Sequence, residues 1–114
     1  MISAITCMAV AIYFEARNQP IAGQLAVAHV ISNRVTRKHR CQFSFWCDGK
    51  PETIQDYNAW RAAVRIATAV RDTSVSRVDV SEGATHYHTT EVSPKWRYTL
   101  RMTVQIGQHV FYKP

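Results

Sequence analysis

The stretch from Ala11 to Arg34, AIYFEARNQPIAGQLAVAHVISNR, holds a single carboxylate, Glu15, at the junction of two apolar helical patterns. Upstream, Ile5, Met8 and Ile12 recur at three- and four-residue offsets, so Glu15 extends a hydrophobic stripe on one helix face. A carboxylate placed there is partly desolvated, which favours the neutral acid and raises its pKa. The alternative is a glutamate at a helix end that turns to solvent, and periodicity by itself favours that ordinary surface role.

Working outward, Ser3 is the expected N-cap of a first helix over Ala4 to Ala16. Ile5, Met8 and Ile12 lie on one side of it and Cys7, Val10 and Phe14 on another, so the helix is expected to be central and enclosed. Pro20 suits the first turn of a second helix whose core stripe is Ile21, Leu25, Ala28, Ile31 and Val35, with Gln24, His29 and Asn33 projecting elsewhere. The short turn around Arg17 to Gln19 folds this helix back near Glu15.

Downstream, Thr36 to Pro51 is irregular and carries the turn signal Asp48-Gly49. The aromatic run SFW at Ser44 to Trp46 suits either a sugar-binding loop, where rings pack on the apolar faces of sugars, or a core plug. A third helix is expected over Ile54 to Asp72, with Trp60, Ala63, Val64, Ala67 and Val70 buried and Arg61, Arg65, Thr68 and Asp72 wet. After a polar loop, Ala84 to Thr89 alternates as a strand does, with His86 and His88 on one face and Thr85 and Tyr87 on the other. Pro94 separates it from a second strand, Tyr98 to Ile106. Gly107 ends that strand before His109, Phe111 and Tyr112, which close the sheet against the helices.

Composition bounds these readings. At 114 residues the chain has the length of one domain, residues 1–114, and its 46% hydrophobic and 19% charged residues exclude a disordered chain. Fourteen Lys and Arg against eight Asp and Glu give a formal charge of +6, which points to a polyanionic partner: nucleic acid, a membrane face or an acidic wall polymer. Apart from Arg34, Arg37, Lys38 and Arg40 the basic residues are scattered and no nucleic-acid module is visible, so no nucleic-acid partner is expected. The opening MISAITCMAVAI lacks a basic leader region and a cleavage site, and about a dozen apolar residues are too few to span a bilayer; it reads as part of the fold. Cys7 is expected as a buried thiol, and a Cys41–Cys47 bridge stays open.

Two chemistries fit the residue types. Glu15 can act as the general acid of glycosidic-bond cleavage. Alternatively, His86 and His88, with His109 or Glu15, can bind a metal that activates water for amide hydrolysis, although paired strand histidines more often make hydrogen bonds in a polar groove. No closely spaced Cys or His pair complements Cys41 and Cys47 as a structural zinc site.

Six blocks, YFEARNQP (Tyr13 to Pro20), GQLAVAHVISNRV (Gly23 to Val35), QFSFWCDG (Gln42 to Gly49), GATHYHT (Gly83 to Thr89), VSPKW (Val92 to Trp96) and IGQHVFY (Ile106 to Tyr112), occur in the order of one known family. By these blocks the chain resembles the catalytic domain of the bacterial cell-wall hydrolases that include the spore-cortex-lytic enzymes. The resemblance implies an α+β, lysozyme-like or lytic-transglycosylase-like domain of about three helices and a small antiparallel sheet near the C-terminus. It implies a monomer that needs no cofactor or metal and acts on peptidoglycan glycan strands at the wall, without membrane insertion. Glu15 corresponds to the catalytic acid; Gln24, Ser44, Trp46, His86, Tyr87 and His88 become candidates for substrate binding. The implied reaction leaves 1,6-anhydro-muramoyl ends, with a hydrolytic muramidase, a metal-dependent amidase and a non-catalytic wall-binding module as alternatives. Two departures stand out: Gln19 where the family commonly has a second glutamate, and a shortened connection from Val35 to Gln42. With neither a wall-binding repeat nor an export signal read in the chain, a bacteriophage lytic enzyme delivered by a helper, or a domain trimmed from a larger secreted enzyme, is the expected source.

Overall fold

The computed structural model describes residues 4–36, 54–71 and 78–114. Helix α1 (Ala4–Ala11) does not run on as a regular helix to Ala16; it widens into a π turn over Ile12–Ala16. Periodicity in a sequence cannot register this, because one widened turn shifts the faces by a single residue. As the unbroken apolar run requires, residues 7–13 are each no more than 1% exposed. Cys7 is disulfide-bonded, which corrects the expected free thiol; its partner, like the Cys41–Cys47 question, lies outside the described residues.

Helix α2 (Ile21–Thr36) starts directly after Pro20, whose carbonyl accepts the N–H of Gln24 at 3.0 Å. The expected one-sided stripe is only partly right. Ala28 and Ile31 are buried, but so are Ala26, Val27 and Val30, whereas Ile21 is 68% exposed. The middle of α2 is enclosed by α1, a third helix and the sheet, while its first turn projects beyond them. The same enclosure buries His29, which the stripe had left projecting elsewhere.

Helix α3 (Tyr57–Arg71) is capped by Asp56, whose Oδ1 accepts the N–H of Ala59 at 3.0 Å. Ala63, Ala67 and Val70 face the core, and Arg61, Arg65 and Thr68 face water as expected. The buried Tyr13 hydroxyl accepts the backbone N–H groups of Gln55 and Asp56 at 3.1 and 2.9 Å, pinning the entry to α3 onto the π turn.

The sheet is antiparallel in the order β1-β3-β2: β1 (His86–Thr89), β2 (Arg101–Ile106) and β3 (His109–Lys113). Three helices with this sheet make the expected α+β architecture. Tyr98 is not in a strand; it ends a 3-10 turn, Lys95–Tyr98, that follows the extended Pro94 and is closed by Thr99 on the Trp96 carbonyl. A register shift at Thr103 makes a bulge in β2, where the Thr103 hydroxyl donates to the Ser81 carbonyl at 2.8 Å. Gly107, at φ +58°, opens the two-residue turn from β2 to β3, and a Cβ there would collide with the side-chain oxygen of Gln19. That oxygen accepts the N–H of Gln108 at 2.9 Å, and Gln19 Nε2 donates to Gln108 Oε1 at 3.1 Å. Gln19, the departure from the family pattern, thus clips the segment after the π turn to the hairpin.

Asp79 ties α2 to the approach to β1. Its carboxylate accepts the Ser81 hydroxyl (2.6 Å), the N–H groups of Ser81 (2.8 Å) and Gly83 (3.0 Å), and Asn33 Nδ2 (2.9 Å), with His29 Nδ1 at 3.7 Å. Asn33 Nδ2 also donates to the Ala84 carbonyl at 2.8 Å, so the strand that follows starts from a fixed point on α2. Among the described residues no helix is long and apolar enough to cross a membrane.

Candidate active site

The π turn carries Glu15 to the wall of a cleft of about 520 Å³, a volume suited to a small ligand. Phe14 and Glu15 supply one wall, Tyr87, His88 and Thr89 the other, and Trp96 stands at the far side of β1. Solvent reaches Glu15 along the cleft, while protein crowds it on the remaining sides. That burial raises its pKa above the usual carboxylate value of 4.5, against the opposing effects of a hydrogen bond from Tyr87 and the charge of Arg34.

Strand alternation sends Tyr87 to the same sheet face as Phe111, its cross-strand partner, and there its hydroxyl donates to Glu15 Oε2. Burial, and then the charge and hydrogen bond of Glu15, hold the phenol well above its ordinary pKa of 10.0, so Tyr87 stays a donor. Arg34, near the end of α2, is half-buried. Its Nε donates to the Thr85 carbonyl at 2.6 Å, which anchors the guanidinium where its charge acts on both Glu15 and Tyr87. Burial lowers the Arg34 pKa from 12.5, and the two acidic neighbours oppose that.

The site residues expected from sequence divide three ways. Glu15, Tyr87 and His88 line one cleft. His88 is already engaged on both ring nitrogens: since a carbonyl only accepts, Nδ1–H donates to Thr89 O at 2.6 Å, leaving Nε2 to accept the Tyr112 hydroxyl at 3.0 Å. Its ring stacks on Tyr112. His86, on the opposite face from Tyr87, contacts Thr85 Oγ1 (2.9 Å) and packs against the cleft residue Trp96, but is not itself among the residues that line the Glu15 cleft. Gln24 Nε2 donates to the Gln19 carbonyl at 3.0 Å in the first turn of α2 and is not among the cleft residues. Ser44 and Trp46 lie outside the described residues.

For the metal alternative, β3 register pairs His109 with Thr89, on the sheet face away from His86 and His88. Among the described residues no three His, Cys, Asp or Glu side chains come together to hold an ion. Sequence reasoning missed Arg34, which had been grouped only with the basic residues Arg37, Lys38 and Arg40. Its place inside the block GQLAVAHVISNRV, one helix turn after the buried Val30 and Ile31, was the available signal.

A family model described as cell wall hydrolase matches residues 18–112. The chain belongs to that family. The match begins just past Glu15. Among solved structures, the catalytic domain of the germination-specific lytic transglycosylase SleB from Bacillus anthracis is 29% identical, with a TM-score of 0.67 over 96% of this chain and 93% of that one. The catalytic domain of Bacillus cereus SleB matches with the same identity and TM-score, over 96% of this chain and 89% of its own. The spore cortex-lytic enzyme of Halalkalibacterium halodurans is 30% identical over 94% of this chain, which spans about a third (34%) of that protein's length. The fold is therefore that of the SleB catalytic domains.

Removing the Tyr87 hydroxyl gives a direct test of the Glu15 environment. The Tyr87 hydrogen bond lowers the Glu15 pKa, so Tyr87→Phe is expected to raise it further. A reaction needing protonated Glu15 then loses rate at higher pH than in the wild type, with about tenfold lower kcat from the lost hydrogen bond. Clearing of a peptidoglycan suspension measured across pH reads both effects, and an unmoved alkaline limb would show that the hydroxyl does not tune the acid.

Proposed function

We propose that this protein is a lytic transglycosylase that cleaves the glycan strands of peptidoglycan between N-acetylmuramic acid and N-acetylglucosamine, with Glu15 as its general acid and base. The observation that carries this reading is Glu15 itself: a carboxyl group with raised pKa in a cleft of sugar size, held by Tyr87 and faced by the charge of Arg34. In the first half of the reaction protonated Glu15 gives its proton to the leaving glycosidic oxygen as positive charge develops at the anomeric carbon. The resulting carboxylate is stabilised by the Tyr87 O–H and by Arg34, then takes the proton from the muramoyl 6-hydroxyl as that oxygen closes on the anomeric carbon. The product is a 1,6-anhydro end and no water is consumed.

A hydrolytic muramidase would ordinarily use a second carboxylate several ångströms across the substrate. Among the described residues none lines the cleft: Asp56 caps α3, Asp79 sits in its own hydrogen-bond cradle, and Glu82 and Glu91 face solvent. Delivery by a bacteriophage helper and action as a monomer on the wall side belong to the same proposal. Mass spectrometry of digested peptidoglycan tests the reaction. Anhydro-muropeptides are the expected product; reducing muramic acid ends would make the protein a muramidase, and released stem peptides an amidase.

A further inference from the structure

One buried side chain in the cleft wall has no hydrogen-bond partner. His109, the first residue of β3, is 1% exposed, and neither of its ring nitrogens meets a donor or acceptor. Its ring stands edge-on to that of Tyr87, centroids 5.3 Å apart at 86°, and lines the same cleft as Glu15. Cross-strand pairing with Thr89 and the Gln19 clip on the adjoining turn fix its backbone. Burial first, and then neighbouring His88, push its pKa below the usual 6.5, so the ring is neutral at pH 7.

A neutral imidazole carries one donor and one acceptor, and leaving both unmet in a buried place costs stability. Leucine or phenylalanine would fill the space without that cost. Closing the sheet therefore does not account for a histidine here; Phe111, on the same face of the same strand, already packs into the core. Unmet hydrogen-bonding capacity at the wall of a ligand-sized cleft is completed by what enters the cleft.

We propose that His109 is a substrate-binding residue of the Glu15 cleft, its unpartnered imidazole hydrogen-bonding an uncharged hydroxyl or acetamido group of the sugar held there. The inference rests on the glycan-cleaving reading of that cleft. Because the ring is closed to bulk water, the contact forms as the filled cleft lets the ring turn toward the ligand.

The test compares His109→Leu with His109→Gln. The leucine variant is expected to melt at or above the wild-type temperature, since it removes unmet polar atoms, while kcat/KM on peptidoglycan falls about tenfold, mainly through KM. Glutamine, which can donate and accept, recovers part of the loss. Wild-type kcat/KM in the leucine variant overturns the proposal, as does a lower melting temperature with a loss of kcat that glutamine does not restore. Should the leucine variant not fold, the ¹⁵N shifts of His109 are followed in Glu15→Gln protein titrated with a peptidoglycan tetrasaccharide. A moving ring-nitrogen signal supports the contact, and a stationary one rejects it. If Glu15→Gln still cleaves glycan, the catalytic reading of the cleft fails; if it is inactive and His109→Leu is unimpaired, only the His109 assignment fails.

Discussion

Glu15→Gln is expected to lower kcat on peptidoglycan by about a thousandfold while leaving the protein folded. Glutamine has the same shape, and its side-chain oxygen still accepts the Tyr87 hydroxyl. What it lacks is a proton acidic enough to give to a leaving sugar oxygen. Stability should move the other way. The folded pKa of Glu15 is raised, so its contribution to stability is complete below the unfolded carboxylate pKa and is lost as pH rises through the folded one. Above the unfolded carboxylate pKa the wild type has begun to lose that contribution, and the variant has none to lose. Melting temperatures at pH 7 should therefore be equal or higher for Glu15→Gln, and the decline of stability with rising pH should flatten. Activity within a few-fold of wild type would remove Glu15 from the chemistry. A large drop in melting temperature would instead assign the carboxyl group a structural role.

How much of this site could be read in the sequence depends on the distance over which each interaction acts. Glu15 was legible as the carboxylate that continues the Ile5–Met8–Ile12 stripe, because helical neighbours are close in the chain. Alternation correctly separated Tyr87 from His86 and His88, but it could not tell which face of that strand meets the helices; the face with one tyrosine, not the one with two histidines, meets Glu15. The π turn was hidden, since a local widening of the backbone leaves no periodic trace in five residues. The roles of Arg34 and Asn33 were not read from the sequence for a common reason. Their partners, Thr85 for Arg34 and Asp79 for Asn33, are set by packing of α2 against the approach to β1, across 51 and 46 residues of chain. Long-range pairing of polar groups is specified by the fold and is invisible to periodicity.

Asp79→Ala is expected to be the most destabilising single substitution outside the apolar core, costing about 3 kcal/mol. The carboxylate accepts four hydrogen bonds from three residues, and bonds to a charged group contribute roughly 1.5–3 kcal/mol each, though not additively. Alanine would leave the N–H groups of Ser81 and Gly83 and the Asn33 amide without their acceptor, at a turn where Glu82 and Gly83 hold positive φ. Asparagine should recover little, because its NH₂ group would face donors. The pH dependence separates this cradle from simple loss of packing. Burial alone would raise the Asp79 pKa, but the hydrogen bonds from Ser81 and Asn33 and the charge of His29 outweigh it and hold it below 3.8. A depressed folded pKa means that the stabilisation is complete above the unfolded carboxylate value and disappears as pH falls through the folded one. The stability gap between wild type and Asp79→Ala, measured by urea unfolding, should therefore be widest near neutrality and shrink toward strongly acid pH. His29 adds to the acid sensitivity of the wild type: burial lowers its pKa against the pull of Asp79, so stability falls as pH drops below the usual histidine value of 6.5. A gap under about 1 kcal/mol at pH 7, or one that stays constant into acid, would mean that the turn is held by its backbone alone. The cradle sets where β1 begins, and β1 presents Tyr87 to Glu15; the variant, assayed at a temperature where it remains folded, should lose activity through a looser Tyr87 contact even though Asp79 touches nothing in the cleft.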